Sequence, residues 1–553
     1  MKKIAAVLVG CLMAFTVLLS VGCVKKIDNS SKTVEVFVFK GGYGVEWLDA
    51  MEKAFEEKTD YDVVKKVQNT GDVIESMIKA GPKTTTDLFI VSGINTSWDS
   101  YVNLGNKAVA GYDCVLADLD DVYEAKVDGR DETIAEKMLP GWKESFYVET
   151  DNSASDHYYA LPWATGLTTL FYNKDLYDQA GIEHEPRTTN ELYENCETLL
   201  AKGTTPFIYS APEAYWNPLF WTWWVQYDGL NGYENFFNCR ISDTALPDAA
   251  TAMQIFDQRG IYESLYTIES LIKPNTSKPD EDFIHNSVEA MDYTTAQARF
   301  FDKQAAMMPN GDWLENEMAT QIAQGMKIGN ILPMRMPIVS ALSDKLSYWE
   351  EGKDVSYNEA RTSVSADKLE QYDKNLRDLV DYVDGVTTTL PTYGSEADVQ
   401  NDIKIVAESR AVQYTYGVQH TCVIPAYATA VEGAKEFLKF MASDEGLKIY
   451  AENTSGSLPP FRFDYENWEG YENMSGYSKK VKEIMEDIKV IPYEMKYKTG
   501  YIGYLTPIYS MKLDIKLGAK DSKERMTAAE IIEWEKNYYK TKIQRIMINA
   551  DLI

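Results

Sequence analysis

At 553 residues, 45% hydrophobic and 25% charged, the chain has the composition of a globular protein and is long for a single core, so at least two domains are expected. Its 55 basic and 85 acidic residues leave a net charge of −30, which repels nucleic acid and anionic lipid head groups and disfavours a phosphorylated ligand. Six cysteines without a Cys-x-x-Cys pair exclude a dense disulfide framework and suggest no metal site. The 12 Trp and 37 Tyr fit either large cores or a surface that touches flat, amphipathic ligands such as sugars.

Lys2 and Lys3 precede an apolar run, Ile4 to Val21, and then Gly22-Cys23 and a polar stretch. This is the layout of a secretory signal peptide over residues 1–22, with an uncleaved anchor helix as the alternative. The small residue before Cys23 resembles the lipobox of bacterial lipoproteins, although Ser20 stands where an aliphatic residue is usual. The resemblance implies lipidation of Cys23, a tether over 23–32, and a chain held on the outer face of the cell membrane.

"TVEVFVF" (33–39) alternates as a strand and "KGGYG" (40–44) follows as a glycine-rich loop. "VEWLDAMEKAFEEKT" puts Trp47, Leu48, Met51, Ala54 and Phe55 on one helical face. "YDVVKKV" is a second strand, "GDVIESMIKAG" a short helix, and "DLFIVSG" a third, wholly apolar strand. Strand, helix and strand in alternation with buried strands predict an α/β fold with a parallel sheet, whose ligands bind at the carboxyl ends of the strands. From Tyr158, "YYALPWATGLTTLFYNKDLYDQAGI" reads as a strand, a crossing with Pro162, another strand and a helix. "TTNELYENCETLLAKG" is a further helix, and residues 217–308 look mostly helical. Residues 335–415 are polar and include an amphipathic stretch, "DKLEQYDKNLRDLVDYVDG", which suggests a helical insertion. "QYTYGVQHTCVIPAYA" returns to strand, and "EGAKEFLKFMAS" and "DEGLKIYAENTSG" are two more helices.

Together "KGGYG", "TTDLFIVSG", "YALPWATGLTTLFYNKDLYDQAGI", "AAMMPNGDWLENEM" and "CVIPAYATAVEGAKEFLKFMASDEGLKIYAENTSGSLPP", behind Gly22-Cys23, resemble the extracellular solute-binding proteins of carbohydrate ABC importers, in the maltose-binding-protein superfamily. "YNKDLY..AG" and "KEFLKFMASDEG" are the most specific phrases; the length and residues 335–415 depart from the pattern. The resemblance implies two α/β lobes, each a mostly parallel sheet flanked by helices, with a hinge between them and the ligand in the cleft. Crossings would fall near 161–168, after Ile331-Leu332-Pro333 and after Asn453. The N-lobe would hold 33–162 and 334–455, and the C-lobe 163–333 and 456–553. A monomer would capture a carbohydrate, most naturally an oligosaccharide, and deliver it to ABC permease subunits without a cofactor, a metal or nucleic acid.

By the same resemblance Trp313 in "PNGDWL" stacks on a sugar ring; packing under the following helix is the alternative. Asp312 is an acceptor for sugar hydroxyls or an N-cap carboxylate, and Asn310 suits either task. Trp163, at the crossing, is a ligand contact or an inter-lobe filler. Of Trp216, Trp221, Trp223 and Trp224, one or two belong to the core, and Trp216 is the best candidate for exposure. Gly42 and Tyr43 stand at the first strand end, where glycine lets backbone amides approach a ligand or makes a tight turn. Asn95 and Trp98 follow the third strand. Asp87 and His420 read as structural, and the pairing of Cys114, Cys196, Cys239 and Cys422 is open.

The rival is a secreted glycoside hydrolase, which needs two carboxylates about 5–9 Å apart. The many acids leave such a pair open, but there is no Gly-x-Ser-x-Gly, His-Glu-x-x-His or Walker loop, and the four His are not paired at metal-ligand spacing.

Overall fold

The structure is a computed structural model that describes residues 29–69, 80–91, 114–148, 156–275, 277–278, 281–326, 329–415, 420–492, 512–521, 523–549 and 552–553. The signal stretch, Cys23, Asn95 and Trp98 lie outside the described residues. No described helix is long and apolar enough to cross a membrane.

The described strands are β1 (Thr33–Phe39), β2 (Asp62–Gln68), β3 (Leu88–Val91), β4 (Tyr147–Val148), β5 (His157–Tyr158), β6 (Leu161–Ala164), β7 (Thr168–Asn173), β8 (Met307–Gly311), β9 (Ile331–Pro333), β10 (Val412–Gln413), β11 (His420–Val423) and β12 (Lys489–Val490). One sheet runs β2-β1-β3-β11-β6. Its first three strands are parallel, with Val36 opposite both Lys65 and Leu88, and β11 is antiparallel to both neighbours. Val34, Val36 and Val38 of β1 and all of β3 are buried, as their apolar patterns require. Each such side chain contributes about 1.5–3 kcal/mol. The Glu46–Glu56 helix covers this sheet with Trp47, Leu48, Met51 and Phe55. Asp87 holds the sheet edge: its carboxylate accepts from the amides of Glu35, Thr429 and Ala430.

The second sheet, β8-β7-β9, is antiparallel, with a parallel bridge from Met307 to Phe207. The mostly parallel character expected of each lobe therefore belongs to β2-β1-β3, while the second sheet departs from it. Its order puts β7, which enters from the crossing, between β8 and β9.

Three segments meet between the sheets. Thr165–Leu167 links β6 to β7, Tyr414 and Thr415 follow β10, which pairs with β12, and Gly456–Leu458 follows the Asp444–Asn453 helix. Thr165 and Leu458 share a backbone hydrogen bond, and Leu167 bridges Thr415, so the three run side by side.

Residues 335–415, expected with the first lobe, make their contacts on the side of the second sheet. The Ala366–Val383 helix faces Thr188 through Asp373 (3.1 Å) and Arg187 through Asp381 (2.6 Å). Arg361 reaches the buried Glu263 at 3.1 Å, and Ser409 donates to the Gln226 carbonyl at 2.8 Å. The sequence pattern shows the amphipathic helix but not which surface it covers. The buried charge partners on 187–263 decide that.

The Asn217–Phe237 helix is broken at Gly229 (φ 74°, ψ 171°). All four tryptophans of its region are buried. Trp216, the one expected to be exposed, stands edge-on to Phe207 at 5.1 Å and Tyr209 at 5.9 Å. Cys114, Cys196, Cys239 and Cys422 are buried free thiols.

Candidate functional site

The carboxyl ends of β1 and β8 meet where the two sheets face each other. After β1 the chain tightens into the short turn Gly41–Tyr43, with Gly41 at φ 51°. After β8 it runs through Asp312 and Trp313 into the four-residue helix Leu314–Glu317. Glycine is required on both sides. A Cβ on Gly311 would fall within the Trp313 indole, and a Cβ on Gly42 would stand 2.8 Å from the Trp313 Cβ. The phrase "NGDW" thus lets the indole fold back over its own strand, and "GGY" lets the opposite turn lie against it.

Tyr43 and Trp313 pack edge to face, with ring centroids 6.1 Å apart at 89°. They form a small apolar cluster with Ala164, and Tyr215 is half-buried against it. Tyr43 is 1% exposed and Trp313 8%. On the other side of Tyr43 stands His420, 5.1 Å away. Its Nε2 lies 2.9 Å from the Phe39 carbonyl, and burial pushes its pKa down to about 4, so the ring is neutral and Nε2 donates. This fits the structural role expected for it.

Asp312 lies beneath this pair, fully buried. It does not cap the Leu314–Glu317 helix, whose N-cap is Trp313 without a side-chain bond. Its carboxylate instead accepts from Thr165 Oγ1 (2.8 Å), the Leu167 amide (3.0 Å) and the Tyr43 hydroxyl (3.3 Å). Burial raises its pKa to about 7, against the opposing effect of those hydrogen bonds. From behind, Gly456 (φ 83°) abuts the Asp312 carbonyl, where a side chain would clash, and the Tyr477 hydroxyl donates to that carbonyl at 3.2 Å. Asp312 is therefore a hydrogen-bond hub joining β8, the first connection and the turn after β1. Next to it Glu317 is also raised to about 7 by burial, with Gln297 donating to it at 2.6 Å, and Asn316 donates to the Gly42 carbonyl.

Of the residues predicted from sequence, Gly42, Tyr43, Asp312 and Trp313 come together at this junction. Asn310 lies just behind it, buried in β8, where its side chain bonds the Gly311 amide at 2.7 Å and so faces inward. Trp163 does not reach the site. It is enclosed by Trp47 (5.8 Å), Tyr450 (5.3 Å) and Phe461 (6.4 Å), because β6 turns that side chain under the first sheet. Trp216 is in the core of the second sheet's helical layer. Sequence reasoning passed over Thr165, Leu167, Tyr215, Asn316 and Tyr477. The short "ATGL" between two strands and the "SGS" before Pro459 were the available signals for the connections. Nothing local marks Tyr477, which arrives from a distant helix. Among the described residues no group of three or more His, Cys, Asp or Glu is placed to hold a metal.

Residues 41–328, just over half of the chain, match the family described as bacterial extracellular solute-binding protein. The chain belongs to that family. Its members are extracellular receptors that bind a solute, so this solute-binding protein is a receptor and not a hydrolase. A curated relative, the diacetylchitobiose binding protein DasA of Streptomyces coelicolor, is 27% identical over 181 residues, which is 32% of this chain and 37% of the relative. The match thus spans little more than a third of that protein. Among solved structures, a chitin oligosaccharide binding protein superposes with a TM-score of 0.55 at 15% identity, covering 93% of this chain and 100% of that one. A sugar transporter from Arthrobacter chlorophenolicus with bound laminaribiose gives 0.54 at 12% identity, covering 92% and 99%. At such identity the likeness concerns the fold, a two-domain α/β architecture.

Proposed function

We propose that this solute-binding protein captures a carbohydrate, an oligosaccharide, between two hinged lobes and presents it to the permease of an ABC importer. The observation that carries this reading is the direct meeting of Tyr43 and Trp313 across the junction of the two sheets. The names of the relatives, which concern chitin oligosaccharides and laminaribiose, support a saccharide as the solute. One lobe comprises 33–164 and 420–455. The other comprises 168–413, including the 335–411 helices, with the helices from 476 onward. Trp313 is the stacking platform. Trp313 is nearly buried against the Gly41–Tyr43 turn, so a sugar reaches its ring only when that turn moves off it. Gly42 amide and carbonyl groups border that path. Asp312 holds the platform in place and Asn310 braces the strand behind it; in this reading neither touches the sugar directly. Asn95 and Trp98 would add contacts from the first lobe. Closure is then driven by what the sugar binds better in the closed arrangement. A monomer tethered by lipid at Cys23 would keep the loaded form at high local concentration near the permease.

Tryptophan fluorescence of the mature chain, titrated with diacetylchitobiose, laminaribiose and xylobiose, tests the reading, with Trp313→Ala alongside and product analysis throughout. A saturable change without product, weakened about tenfold or more (1.4 kcal/mol) by the substitution, is the expected result. Sugar turnover, or no binding by wild type, overturns it.

A further inference from the structure

A second cleft opens on the flank of the junction, and Tyr43 and Trp313 take no part in it. It encloses about 820 Å³, within the range of about 300–1,000 Å³ that holds small organic ligands. One wall is the end of the Asp444–Asn453 helix and the residues after it, Glu452 to Ser455. The opposite wall is Trp468 to Ser478, and Asn316 closes the floor.

Its chemistry is narrow. Asn316, Asn453, Thr454 and Asn473 supply amides and a hydroxyl that both donate and accept, whereas the Ser475 hydroxyl is committed, donating to Glu315 at 2.9 Å and capping the following helix at the Ser478 amide. No lysine or arginine lines it. The two acids on its rim, Glu452 and Glu469, share Lys448, which stands 3.8 Å from each and so ties one wall to the other. A phosphate or carboxylate ligand would find no cation facing it. One flat aromatic surface is present, the half-buried indole of Trp468. That ring is fixed in place: Gly470 lies directly against it, where any Cβ would enter the ring, and Phe463 packs beside it at 6.4 Å. The Trp468 indole N–H is buried and has no hydrogen-bond partner among the described residues. A buried donor left without a partner is unfavourable.

Neutral two-way hydrogen-bonding groups around one fixed aromatic ring, in an anion-repelling cleft, match a neutral, hydroxyl-rich molecule with an apolar C–H face. We propose that this cleft is a second saccharide-binding site, with Trp468 as its platform and Asn473 as a hydroxyl partner. Its walls come from elements packed on different sheets, and Asn316 also bonds the Gly42 carbonyl. Occupancy therefore biases the relative position of those elements, and any coupling to the first site acts equally in both directions.

The site is tested on the mature chain labelled with ¹⁵N at the tryptophan indoles, titrated with diacetylchitobiose, laminaribiose and xylobiose. Trp468→Phe assigns the resonance. The expected result is a saturable shift of the Trp468 indole N–H that persists in Trp313→Ala and is weakened fivefold or more by Asn473→Ala, a substitution at an exposed side chain that leaves the thermal midpoint unchanged. A Trp468 resonance unmoved by all three sugars up to their solubility overturns the proposal. So does a shift that disappears together with binding at Trp313, because the cleft would then only be reporting on the first site. Failure of the Trp313 titration with a saturable Trp468 shift would sink the first reading and leave this one standing.

Discussion

The Tyr43 hydroxyl donates to the Asp312 carboxylate at 3.3 Å, which links the turn after the first strand to the turn after β8, 269 residues away in sequence. The same carboxylate accepts from Thr165 and Leu167 in the first connection, so one buried group couples both sheets and the segment that joins them. All three donors are neutral, and no ammonium or guanidinium offsets the loss of hydration. That is why burial carries the Asp312 pKa from its ordinary 3.8 to about 7.

A carboxyl raised on folding is more easily ionised in the unfolded chain. Its protonated form contributes full stability below about 3.8, and the contribution is lost as the pH rises to about 7, a change of roughly 4 kcal/mol. Asp312→Asn removes that titration. Calorimetry from pH 4.5 to about 8 should show the wild-type midpoint falling more steeply than that of the variant; parallel curves would mean that Asp312 is ionised throughout.

Tyr43→Phe keeps the ring that packs on Trp313 and His420 and removes only the donor. We expect a loss of about 1–2 kcal/mol, read from urea denaturation, and a further rise in the Asp312 pKa, because one bond to the charged form is gone. An unchanged denaturation midpoint would show that the hydroxyl is equally well satisfied elsewhere.

Gly42 needs no unusual backbone angle, so its substitution tests the inter-sheet contact alone. The Cβ of Gly42→Ala would meet the Trp313 Cβ at 2.8 Å and the Glu317 Cγ at 3.1 Å. The turn must then withdraw from Trp313. Small-angle scattering should report a larger radius of gyration at nearly unchanged stability, and the Trp313 fluorescence should shift to the red. An identical scattering profile would place the give within the turn itself.

Trp163 and Trp216 are enclosed on all sides, so Trp163→Ala and Trp216→Ala should each cost about 3–5 kcal/mol of stability. The folded fraction of each should bind sugar with the affinity of wild type. Denaturant midpoints and a titration at low temperature check this, and a selective loss of affinity at full stability would return either residue to the ligand.

Local pattern carried much of the architecture. Alternation in "TVEVFVF" and the unbroken apolar "LFIV" mark strands by which faces they bury, and the spacing of Trp47, Leu48, Met51 and Phe55 marks the helix above them. "PNGDW" and "KGGYG" were recognisable as strand-end turns, and Gly311 and Gly42 within them prove necessary because each leaves room for the Trp313 side chain. Such signals are legible because they depend on residues a few positions apart.

The tertiary structure decided which of two plausible jobs each side chain does. Trp163 and Trp313 both stand at strand-to-turn positions in sequence, yet one is closed in by Trp47, Tyr450 and Phe461 while the other lies at the junction of the two sheets against Tyr43, Ala164 and Tyr215. Asp312 reads equally as a helix cap or a ligand acceptor. It does not cap the helix, and its carboxylate is engaged by Thr165, Leu167 and Tyr43. The helices of 335–411 were visible as helices, but their partners at Gln226, Glu263 and the half-buried Arg187 put them on the side of the second sheet. Periodicity specifies which face of an element is apolar. Which neighbour covers that face, and whether a polar atom beneath it is left for a ligand, depends on contacts between segments hundreds of residues apart.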